Sequence, residues 1–133
     1  MNDQLRIIPG LIAAADISAK QHEAVQLNGT DWTVAAITAN TQVPIGILQN
    51  DPSAAGQAAE VAGIGSICKA RVGGVVGAGD VLGPDADGEL VAKTPAAAGG
   101  SDFYSIAIAL QDGAADQDLI FVLVTGPQWI ETA

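Results

Sequence analysis

The residues best suited to chemistry in this chain are few and poorly grouped. His22 is the sole histidine, and Glu23 follows it directly in "AKQHEAV". Neighbours along a strand point to opposite faces, so the pair is badly placed to share a metal or a proton. Cys68 is the sole cysteine, which excludes an intrachain disulfide. Arg71 lies three residues on and could weakly activate the thiol, but the alternating run "GIGSICKARV" favours a small buried residue at that position. Ser66, in "GIGSIC", lacks the Gly-x-Ser-x-Gly elbow of a serine nucleophile.

Asp80, Asp85, Asp87 and Glu89 form the densest acidic group. "GPDADGE" sets Asp at alternate positions before a glycine, as calcium loops do. The stretch is too short for an EF-hand, has no closing bidentate glutamate and no flanking helices, and turn chemistry alone accounts for its residues. "GGVVGAGDVL" is rich in glycine but lacks the Lys-Ser/Thr of a phosphate loop. No catalytic, cofactor-binding or metal-binding residues are therefore assigned. The expectation is a protein that is not an enzyme, with no cofactor.

The elements around these residues read as β-structure. Asn28-Gly29 between "AVQL" and "WTVAAI" is a hairpin signal, because a tight turn demands positive φ. "VPIGIL" alternates into the break "QNDPSAAGQ", and "AEVAGIGSICKARV" is the longest alternating run, with glycines suited to bulges or close backbone contacts. Turn clusters at Gly77 to Asp80 and Pro84 to Gly88 separate further strands. A polar stretch from Thr94 to Asp102 reads as a mobile loop, and "FYSIAIAL" and "LIFVLVTG" close the chain as paired strands. The expected fold is all-β: a small, short-stranded barrel or sandwich with pseudo-duplicated hairpins and an extended N-terminal arm. Residues 1–20 read as the arm, with a first strand from Ile7 to Ala13; 21–127 form the β-body, and 128–133 a tail whose Trp129 packs back.

Composition narrows the function. The 133 residues are 49% hydrophobic but only 4% aromatic, so small and β-branched side chains fill the core and association with another chain is expected to add stability. Five basic against fifteen acidic residues give a net charge of -10. Phosphate binding needs a basic face, and only Arg6, Lys20, Lys69, Arg71 and Lys93 are available, so nucleic acid is excluded as a partner. No run of eighteen apolar residues and no signal peptide are evident, so neither membrane nor export is expected.

The chain also repeats itself. "PIGILQNDPSAAGQAAEV" and "SIAIALQDGAADQDLIFVLV" share a strand, a polar break, an Ala-Ala step, a Gln and a second strand. "AVQLNGTDWTVA" and "DVLGPDADGELVA" correspond at an offset of 56, Leu48 and Leu110 at 62, and Gln57 and Gln117 at 60. Two passes through hairpin, loop and hairpin predict a duplicated β-body. "VVGAGDVL" resembles a phrase of biotinyl and lipoyl carrier domains, but the hairpin tips "NGTD" and "PDADG" hold no lysine to carry the cofactor.

The wider pattern resembles the capsid decoration, or head cement, proteins of tailed bacteriophages. "PIGIL", "SAAGQAAEVAGIGSICKARV", "GAGDVLGPDADGELV" and "IAIALQDGAADQDLIFVLV" carry the likeness, over roughly residues 18 to 125. It implies a structural virion protein, made in the host cytoplasm, that sits on the outer surface of the expanded capsid. There it would cement major capsid protein subunits against internal DNA pressure, with a homotrimer favoured. By position in the arm, Arg6, Ile7, Ile8, Leu11 and Ile12 would touch the capsid, and the loops Gln49 to Gln57 and Gln111 to Gln117 could offer it related edges. The alternative is an oligomeric binding module, such as a head-fibre base or a carbohydrate-binding β-domain, with Trp32, Tyr104 and Trp129 as stacking residues.

Overall fold

A computed structural model describes residues 4–92 and 103–130, with the side chains of Phe103 and Ile130 excepted. The fold is all-β, as the alternation predicted. Ten strands are β1 (Ile12–Ala13), β2 (Ala24–Leu27), β3 (Thr33–Ala36), β4 (Pro44–Leu48), β5 (Val61–Ala62), β6 (Ile67–Arg71), β7 (Val81–Pro84), β8 (Leu90–Ala92), β9 (Phe103–Ala109) and β10 (Leu119–Ile130). They form two five-stranded sheets, ordered β1-β3-β2-β4-β5 and β6-β10-β9-β7-β8.

The first sheet is closed by the arm. On one side β1 pairs in parallel with β3. On the other, the Ile8 N–H donates to the Val61 carbonyl, Ala59 N–H to Leu11 and Ala13 N–H to Gln57, at 2.9 to 3.0 Å. Closure removes an edge that would otherwise be open to pairing. Residues 4–17, expected as part of an extended arm, are hydrogen-bonded along the body, and Leu11, Ala13 and Ile17 belong to its core.

The duplication is present in the backbone. Gln49 N–H donates to Glu60 O and Leu110 N–H to Phe121 O; Glu60 N–H donates to Asn50 Oδ1 and Phe121 N–H to Gln111 Oε1. Ser53 N–H is capped by Gln57 Oε1, and Ala114 N–H by Asp118 Oδ2. Gly56 at φ +87° matches Gln117 at φ +75°. The true offset in this half of the repeat is therefore 61, between the two offsets the sequence suggested, and the mate of Gln57 is Asp118 rather than Gln117. Upstream, the parallel register Ala13 with Val34 recurs as Val72 with Leu90.

Each half wraps its own core. Val25–Ala36 and Leu82–Ala92 are equivalent pairs, so β2 and β7 align at an offset of 57 rather than the 56 that the sequence suggested. Ala13, Ile17, Val25, Leu48, Ala59 and Val61 in the first thus correspond to Val72, Val76, Leu82, Ala109, Ile120 and Val122 in the second, and all are buried. The halves then pack together. Ala24, Ile37, Ile47 and Ala62 of the first share one apolar cluster with Ala70, Ile106 and Val124 of the second.

Two boundaries differ from expectation. "AEVAGIGSICKARV", read as one alternating run, is broken between β5 and β6, where the chain leaves the first sheet for the second through Gly65 at φ +89°. A Cβ on Gly63 would lie 3.1 Å from Ile8 Cγ1, so the break also lets the arm lie close to the backbone. Gln128, Trp129 and Ile130, read as tail, continue β10 against β9 beyond an irregularity at Gly126. The loop expected from Thr94 to Asp102 lies outside the described residues.

Candidate functional site

An apolar groove of about 490 Å³ lies at the open end of the first half. Ile8 and Leu11 reach it from the arm, Leu27 from β2, Ile45 from β4, and Trp32 from the turn between β2 and β3; Asp31 is the single charged residue of its lining. Leu27 and Trp32 are 50% and 61% exposed. The groove thus leaves two large apolar side chains open to solvent.

The turn that presents Trp32 is tightly determined. Thr30 N–H donates to Asn28 Oδ1, Thr33 N–H to Thr30 O, and Asn28 N–H to Thr33 O. The Trp32 carbonyl accepts from Ile12 N–H at 2.9 Å. These bonds hold Trp32 at φ +56°. That conformation costs a residue with a bulky side chain about 1–3 kcal/mol. Gly88, at φ +92°, stands at the matching place just before β8 in a turn one residue shorter, and glycine adopts that conformation freely.

Of the residues expected to meet a capsid, Ile8 and Leu11 line the groove. Ile7 and Ile12 are exposed beside it, while Arg6 lies apart, its side chain near Gly65 and its N–H donating to Ser66 Oγ at 2.8 Å. Leu27 and Ile45 had been missed, because their places depend on barrel closure; Trp32 opposite Gly88 was visible in the repeat. The three candidate stacking aromatics do not converge. Tyr104 and Trp129 pack edge to face at 4.7 Å on the other sheet, away from Trp32.

Asp85, Asp87 and Glu89 do come together, their carboxylate oxygens lying within 4.8 Å of one another. Turn bonding employs one of the three carboxylates: Asp85 Oδ1 accepts from the N–H groups of Asp87 and Glu89. Burial, with the charges of Asp116 and Asp85, pushes the Glu89 carboxyl up to about 7. Gln117 bridges this carboxylate to Arg71, donating through Nε2 to Glu89 and accepting from Arg71 Nη1. Glu23 is also raised, chiefly by burial, with Lys20 and Arg71 opposing.

Cys68 is fully buried, as its alternating context predicted. His22 is half-buried at φ +70° in the link before β2, where its N–H donates to Leu48 O and its carbonyl accepts from Arg71 N–H. No nucleophile, base and orienting group meet among the described residues. No described helix is long and apolar enough to cross a membrane.

No protein-family model matches the sequence, and no curated protein matches it. Among solved structures the chain is similar to the head fiber gp8.5 N base of bacteriophage phi29, with a TM-score of 0.62 and 14% identity. The match spans 93% of this chain and 95% of that one. At this identity the likeness is one of fold over the matched span.

Proposed function

We propose that this chain is a non-enzymatic structural module of a tailed-bacteriophage virion, seated on the outside of the head in the manner of a head-fibre base. The observation that carries the reading is the whole-chain match to such a base, with neither protein left with a large unmatched segment. The chemistry is consistent with it. An acidic surface, net -10, repels packaged or free nucleic acid, and an exposed apolar groove offers a contact to protein. The partner is the major capsid protein, and repeated attachment by an oligomer turns each later contact into an intramolecular one.

Cementing of the lattice is the finer role that the sequence resemblance implied. It differs from the fibre-base reading in stoichiometry, since cement must occupy most capsomers whereas a fibre base need not. Quantitative mass spectrometry of gradient-purified particles, before and after a mild chaotrope wash, separates the two. Copy number well below that of the major capsid protein, with heat-stable shells after removal, is the expected result. Near-equal copy number, with stripped shells that rupture on heating, makes the protein a cement. Absence from particles overturns the virion reading altogether.

A further inference from the structure

The two halves of this chain are bound by a contact whose two sides each have an unused twin on the surface. In the first half, Ala24, Ile47 and Ala62 form one cross-strand row. All three are buried against the second half. Their mates Val81, Ile108 and Leu123 form the same row on β7, β9 and β10. That row is not covered: Val81 is 38% exposed, and Ile108 and Leu123 are half-buried.

The other side of the contact behaves likewise. The second half meets the row with Ala70, Ile106 and the turn at Gly88. There Ala24 N–H donates to Gly88 O at 2.9 Å, and Lys20 Nζ donates to Asp87 O at 3.1 Å. A Cβ on Gly88 would lie 3.0 Å from Ala24 O, so this close seat requires glycine. In the first half the mates of Ala70, Ile106 and Gly88 are Leu11, Ile45 and Trp32, which are the walls of the open groove.

We infer that the groove of one copy seats on the Val81–Ile108–Leu123 row of a second copy, pairing the same two kinds of surface that join the halves within one, with the Trp32 side chain in place of the close backbone approach made at Gly88. The occupant is a second copy because the complementary surface is already present on this chain, in the register and with the apolar character that the internal contact uses. Trp32 and Leu11 stand where the internal contact has Gly88 and Ala70, and Ile45 matches Ile106, so the groove offers more apolar surface than the internal seat does. Such a contact is heterologous, each copy giving one face and receiving on the other, so it adds copies beyond two and closes a ring where the rotation allows.

The test uses the purified full-length chain without any virion, so its failure is distinct from failure of the virion reading. Light scattering at micromolar concentration is expected to find an assembly larger than a dimer. Trp32→Asp, a residue tolerant of positive φ, and Val81→Asp, on the opposite face, are each expected to give a folded monomer by circular dichroism. Mixing the two variants leaves one intact joint and should yield a species of twice the 13.3 kDa chain mass and nothing larger. As a second measurement, Trp32→Cys mixed with Val81→Cys should form a disulfide-linked heterodimer on oxidation, since the internal mates Gly88 and Ala24 are direct backbone partners. A monomeric native chain, an assembly indifferent to either variant, or variants that neither recombine nor crosslink would each overturn the interface.

Discussion

The repeated core can be tested by moving the packing of one half into the other. Leu48 and Val61 are cross-strand partners in the first half, and Ala59 lies two residues before Val61 in the same core. Their mates Ala109 and Ile120 invert the sizes: a large residue beside a small one becomes a small one beside a large one. Leu48→Ala alone should leave a cavity and cost about 3 kcal/mol, the middle of the range for buried leucines. Ala59→Ile alone should overpack the site and cost about 2 kcal/mol. Independent effects would sum to about 5 kcal/mol, a large part of the stability of a domain this size. The double variant reproduces the arrangement of the second half and is expected to lose only about 2 kcal/mol. Urea unfolding of all four proteins at one concentration measures the cycle, since association would otherwise shift the midpoints. Additivity to within about 0.5 kcal/mol would refute the claim that the two cores are alternative solutions of one packing problem.

Other outcomes follow from single residues. Glu89 has its folded-state value raised from 4.5 to about 7, so the folded chain binds the proton more tightly. Stability should therefore fall as pH rises from about 4.5 through 7, and Glu89→Gln should flatten that slope in thermal melts. A Cβ at Gly46 would sit 2.2 Å from the Ala62 carbonyl oxygen, within the pairing of β4 and β5. Gly46→Ala should thus cost at least about 3 kcal/mol or prevent folding, read by urea unfolding. Gly29→Ala, at φ +91° in open space, should cost only about 1 kcal/mol in the same assay.

Much of the architecture was legible locally. Asn28-Gly29 and Pro84 to Gly88 marked hairpins because turn conformations are set by a few adjacent residues, and the all-β class followed from alternation in "VPIGIL" and from short apolar runs such as "LIFVLV" between turn signals. The break inside "AEVAGIGSICKARV" was not legible, since alternation continues across the point where the chain changes sheets. The candidate site was half legible. Trp32 aligned with Gly88, and Ile8 and Leu11 stood out as apolar residues of the arm. Leu27 and Ile45 join them only because closure of the first sheet brings β2, β4 and the arm to one opening.

The sequence by itself determined the class of structure, its duplication, the absence of a basic face and the single buried cysteine, because each depends on composition or on neighbours along the chain. Only the tertiary structure decided that the arm is part of a closed sheet and that the two halves meet through faces whose twins remain exposed. Those outcomes depend on which distant residues share a surface. A strand's own pattern states that it has an apolar side, and the partner that covers that side is fixed only when the chain has folded back on itself.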